Sequence, residues 1–107
     1  MKVNYRGSTG YGLNFLKSLE GNAGIYDVED CGELLLKTIE EFKDEIDETR
    51  IGVYGASHGG FLTCWLSGHE KYSKLFKAAV QWNPVTDFHA SNMFTDINDW
   101  NYAEALG

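Results

Sequence analysis

The sequence predicts an α/β fold: a parallel sheet with crossover helices and a sharp strand-to-helix turn that carries a serine. Three short segments rich in β-formers, separated by two amphipathic or apolar helical patterns, give the alternation that favours parallel strands. Between the second strand and the second helix lies Gly55-Ala56-Ser57-His58-Gly59, a G-x-S-x-G. The chain has 107 residues, enough for one modest core but not for a large sheet covered on both faces.

The first strand is expected at Lys2 to Tyr5, followed by the glycine-rich turn Arg6-Gly7-Ser8-Thr9-Gly10-Tyr11-Gly12. Gly21-Asn22-Ala23-Gly24 breaks the chain before a helix expected from about Ile25 to Phe42. There Ile25, Val28, Leu35, Ile39 and Phe42 recur at helical spacing, and Asp27, Glu29 and Asp30 complement the positive end of the helix dipole. The second strand is expected at Arg50 to Tyr54. The second helix begins near His58, carries Phe61, Leu62, Trp65 and Leu66, and ends at Gly68. The third strand is Ala78 to Trp82, with the single proline, Pro84, just beyond it. The last twenty residues read equally as loop or helix. No repeat, linker or low-complexity tract divides the chain, so residues 1–107 form one unit.

Composition excludes several partner classes. Nine Lys and Arg against sixteen Asp and Glu leave a net charge of -7, with the basic residues scattered, which argues against nucleic acid and anionic membrane surfaces. No apolar run spans a bilayer, and the start is polar and glycine-rich, so a cytoplasmic protein is expected. Cys31 and Cys64 sit in apolar helical patterns where free thiols are the common state, and no metal-ligand spacing occurs.

The chemistry concentrates at Ser57. Between a strand and a helix, a serine held at a strained backbone angle projects its hydroxyl, and small neighbours let strand and helix pass closely. Gly55, Ala56, Gly59 and Gly60 supply that lack of bulk. The helix N-terminus behind the serine aims N–H groups at a developing oxyanion, with His58 N–H the natural donor. A glycine-rich turn with an incidental serine is the bland alternative. A dinucleotide-binding loop is the chemical rival, but G-x-G-x-x-G never occurs, and no tyrosine has a lysine four residues later.

The run Asn4 to Gly12, then Asp27-Val28 with Asp30, then Gly55-Ala56-Ser57-His58-Gly59-Gly60-Phe61, resembles the catalytic domain of the prolyl oligopeptidase family of serine peptidases. Ser18-Leu19, Gly21 to Gly24, Asn83-Pro84-Val85 and Thr95-Asp96-Ile97 with Asp99-Trp100 are most similar to the members that release N-acylated amino acids from short peptides. Asn98 departs from that pattern, which has a proline there. The resemblance implies part of an α/β-hydrolase fold, in which Ser57 is the catalytic nucleophile and forms an acyl-enzyme. It implies His58 N–H as an oxyanion donor, Trp100 as a wall of the pocket for the residue before the scissile bond, and neither cofactor nor metal; an aromatic packed in the core is the equal alternative for Trp100.

The family takes its triad Asp and His from later strand ends and its second oxyanion donor from an upstream loop, which places all three outside these residues. His69 lies at the far end of the helix that starts at His58, roughly 17 Å from the serine at ~1.5 Å per residue. His89 with Asp87 makes a plausible-looking pair, but in the wrong place for the family. A central strand between the first two is also expected to be missing, leaving open sheet edges. The expectation is therefore a middle piece of a peptidase domain, inactive alone, with an interaction module that binds a complementary chain through those edges, or an oligomer, as the alternative.

Overall fold

The structure is a computed structural model that describes residues 1–106. In chain order it contains α1 (Leu13–Lys17), α2 (Tyr26–Glu41), β1 (Gly52–Ala56), α3 (His58–Gly68), β2 (Ala78–Trp82) and α4 (Phe88–Phe94), and ends in a short π-helical segment, Asn101–Leu106. Single 3-10 turns at Glu48–Arg50 and Ser73–Leu75 lead into the two strands.

The strands pair in parallel, with Tyr54 opposite Val80 and Ala56 opposite Trp82. Helix α3 is the crossover, packed on the sheet face that carries Gly55. The opposite face is bare: Tyr54, Val80 and Trp82 are all exposed.

The core is small. Val28 of α2, Phe61, Leu62 and Leu66 of α3, and Tyr72 are buried together, with Tyr5, Leu36, Val53, Phe76, Val85 and Phe88 packed around them. Each such buried side chain contributes about 1.5–3 kcal/mol. Tyr72 reaches this core because Gly32 opens a notch in α2: a Cβ at Gly32 would stand 2.5 Å from the Tyr72 ring. The Tyr72 hydroxyl then donates to Glu33 Oε1 at 2.6 Å.

Two strand expectations change. Lys2 to Tyr5 is not a strand, because it pairs with neither β1 nor β2 and a strand exists only through a hydrogen-bonded neighbour. Side-chain contacts hold that segment instead, with Asn4 donating to the Tyr11 hydroxyl and Tyr5 half-buried on the core. The second strand starts at Gly52, not Arg50, because Asp47 caps a 3-10 turn, accepting from the Thr49 N–H and hydroxyl and from Arg50 Nε. On α2 the expected apolar face holds at Val28, which is buried, and in part at Leu35 and Ile39, which are half-buried, and fails at Ile25 and Phe42, which are exposed. Helix α1 was not legible in the sequence, and the ambiguous tail is helical over Phe88–Phe94.

Candidate active site

Ser57 stands between β1 and α3 with φ 55° and ψ -121°, one of two non-glycine residues with positive φ among those described. A serine held there costs about 1–3 kcal/mol and persists only where its surroundings over-determine it. They do so through the backbone. The Ser57 N–H donates to the Trp82 carbonyl at 2.9 Å, while its own carbonyl accepts from Gly60 at 2.9 Å, Phe61 at 3.1 Å and Val85 at 3.4 Å. The serine is exposed.

The small residues of the turn divide by role. A Cβ on Gly55 would sit 1.9 Å from the Gly59 carbonyl oxygen, and one on Gly60 would sit 2.8 Å from Pro84 Cα. Both positions exclude any side chain. Gly59 does not: a Cβ there meets open space, so the expectation that its lack of bulk serves close packing is corrected. What Gly55 must avoid is the Gly59 backbone.

His58 opens α3, so its N–H has no intrahelical acceptor, and it bonds no other group among the described residues. Its ring turns away from the serine and into the interior. Nε2 lies 2.8 Å from Asp27 Oδ2, and the ring stacks on Phe61 at 5.3 Å and meets Tyr5 and Trp100 at 5.8 Å each. Asp27 is fully buried, and its other oxygen accepts from the Gly24 N–H at 2.7 Å and the Val28 N–H at 3.0 Å. Burial, helped by Asp27 and Cys31, pushes the Tyr5 phenol up.

Trp100 is half-buried and, with His58, Tyr5, Leu16 and Leu19, lines a cavity of about 160 Å³. Its segment is tied to α4 by Asn101, which donates to the Phe88 carbonyl at 3.2 Å and to Asn92 Oδ1 at 2.7 Å. The structure therefore brings His58 and Trp100 into contact.

The other histidines are engaged elsewhere. His69 Nδ1 accepts from the Lys71 N–H, and its ring stacks on Tyr72. Asp87 caps α4 by accepting from the Ala90 N–H, which with burial opposing holds its carboxyl low, and His89 is exposed. Ser57 Oγ bonds no histidine among the described residues. Nor does any group of three or more His, Cys, Asp or Glu among them stand where it could hold a metal ion.

The glycine-rich turn is anchored by Arg6. Its N–H and guanidinium reach Asp30 at 2.8–3.0 Å, and the guanidinium lies over the Tyr26 ring at 4.0 Å. The Asp30 hydrogen bond raises the guanidinium above its ordinary value. Gly7, at φ 101°, then turns the chain back beneath Leu19. Asp27 and Asp30 were legible as favourable charges at a helix start and as part of the family resemblance, but not as hydrogen-bond partners. Their partners lie 31 and 24 residues away, a pairing that no local pattern encodes.

The model of the prolyl oligopeptidase family matches residues 1–106. The chain belongs to the prolyl oligopeptidase family. It is 42% identical over 103 residues to the acylamino-acid-releasing enzyme of Sus scrofa, covering 96% of this chain and 14% of that protein. It is 45% identical over 105 residues to the Arabidopsis thaliana enzyme of the same name, covering 98% and 13%. Among solved structures, an acylaminoacyl peptidase in complex with Z-Gly-Gly-Phe-chloromethyl ketone superposes with a TM-score of 0.82 at 31% identity, covering 97% of this chain and 16% of the other. The uncomplexed Pyrococcus horikoshii acylaminoacyl peptidase gives 0.76 at 35%, with the same coverage. The chain thus spans about one seventh of its relatives' length, and its small parallel sheet matches part of their α/β-hydrolase fold.

Proposed function

We propose that Ser57 is the nucleophile of a serine peptidase of this family, and that the peptidase removes N-acylated amino acids from short peptides. The observation that carries the reading is the backbone of Ser57, strained and exposed at a strand-to-helix turn in a chain 42% identical to an acylamino-acid-releasing enzyme. In this reading Oγ attacks the scissile carbonyl carbon and gives its proton to a general base. The carbonyl oxygen becomes an oxyanion that accepts from His58 N–H, and the C–N bond then breaks as the base returns that proton to the leaving nitrogen, which leaves an acyl-serine and a free amine. The cavity walled by Trp100 and His58 takes the residue before the scissile bond.

None of the three histidines bonds Ser57, so in this reading the base belongs to the rest of a longer catalytic domain and the 107 residues alone are inactive. The reading includes a cytoplasmic protein with reduced thiols, and both cysteines are free. No helix among the described residues is long and apolar enough to cross a membrane. The bare sheet face of Tyr54, Val80 and Trp82 favours a second reading, in which the piece docks with a complementary chain.

An activated ester tests the first reading, because a good leaving group reduces the need for acid–base help. N-acetyl-alanine 4-nitrophenyl ester should leave its acyl group on the Ser57 peptide, detected by intact and peptide mass, and faster than the ester with a free amine. An adduct that persists at equal yield in Ser57→Ala would overturn it.

A further inference from the structure

We propose that Asp27 is a positioning residue: it locks the His58 imidazole with the proton on Nε2 and thereby holds the peptide that joins the strained serine to its oxyanion-facing N–H. The inference rests on the reading of Ser57 as nucleophile. Asp27 is fully buried and His58 nearly so, and their 2.8 Å bond joins the start of α2 to the start of α3. Among the described residues, the other hydrogen bonds that hold the elbow are backbone bonds to α3, to Trp82 of β2 and to Val85 beyond it, and the bond from Thr63 Oγ1 of α3 to the Gly59 carbonyl. Asp27 alone ties it to α2 through a side chain.

The tautomer follows from hydrogen-bond counting. A carboxylate only accepts, so Nε2 carries the proton that points at Oδ2. His58 Nδ1 is buried and has no partner, which a bare lone pair tolerates better than an N–H. Oδ1 is already committed to the Gly24 and Val28 N–H groups. An asparagine at this position must therefore keep its oxygen on those two donors and turn its NH₂ toward His58. The imidazole then has to accept at Nε2 and carry its proton on the unpartnered Nδ1.

Two measurements on the longer catalytic domain that supplies the base test this. Nitrogen-15 spectra of the imidazole should show His58 in the Nε2–H form in the wild type and in the Nδ1–H form in Asp27→Asn. The rate at which a fluorophosphonate labels Ser57 should fall at least tenfold in Asp27→Asn while near-ultraviolet circular dichroism is retained. Equal labelling rates in wild type and variant overturn the positioning role and leave the nucleophile standing, whereas a wild type that does not label at all removes the nucleophile. If Asp27→Asn does not fold, the wild-type tautomer decides: a ring that averages between forms, as a free histidine does, defeats the lock.

Discussion

The Ser57 N–H donates to the Trp82 carbonyl at 2.9 Å, which ties the strained residue after β1 to the last residue of β2. The serine thus sits at the carboxyl ends of both strands, where open α/β sheets place their chemistry. Its own carbonyl collects three further N–H groups, so the strain is borne by a fully bonded backbone rather than by a loop free to relax.

The glycines of the turn should separate in mutagenesis. Gly55→Ala forces a Cβ against the Gly59 carbonyl and is expected to lose about 3 kcal/mol or more. Gly59→Ala meets open space near the start of α3 and is expected to stay within about 1 kcal/mol of wild type, on the stabilising side. Urea denaturation midpoints at constant slope decide the order.

Relief of strain should be measurable at Ser57 itself. Glycine tolerates φ 55° with ψ -121° at no steric cost, so Ser57→Gly is expected to gain about 1 kcal/mol after its larger chain entropy is counted. Ser57→Ala keeps the strain and should unfold with the wild type. Equal midpoints for the two variants would contradict a strained elbow.

Sequence alone revealed what is local. The elbow was legible because Gly55 to Gly60 packs its constraints into six residues, and β2 and α3 fall where their patterns place them. Lys2 to Tyr5 reads as a strand because propensity reports shape, while pairing depends on a neighbour that the pattern does not contain. The Asp27–His58 bond was hidden for the same reason. A buried carboxylate two residues into a helix looks identical to a solvated one until the fold brings α3 against it.

Cys31 should be inert. Burial, reinforced by Asp27 and Asp30, pushes its thiol up to about 12, so almost no thiolate exists at pH 8. Iodoacetamide at that pH is expected to leave Cys31 unmodified in the native chain and to alkylate it promptly in urea. Prompt native alkylation would show that α2 opens readily.

The Glu33 cluster gives a pH dependence. Hydrogen bonds from Lys71 and then Tyr72 hold the Glu33 carboxyl below its ordinary 4.5. A depressed folded value means that the unfolded chain takes the proton first. The stabilisation is complete above pH 4.5 and is lost as the pH falls through the lower folded value. The Tyr72 phenol, pushed up to about 12 chiefly by burial, stays a donor throughout that range. Glu33→Gln should therefore melt lower than wild type at pH 7, with the gap closing under acid. A gap that is constant from pH 7 to pH 3 would assign the loss to packing.

The most direct test is covalent labelling with a fluorophosphonate of the longer catalytic domain that supplies the base, as wild type and as Ser57→Ala, followed by peptide mapping. A single adduct on Ser57 that disappears in Ser57→Ala, with both chains folded, is the result expected of an elbow serine poised for attack. A folded wild type that stays unlabelled, or an adduct that survives in Ser57→Ala, would contradict it.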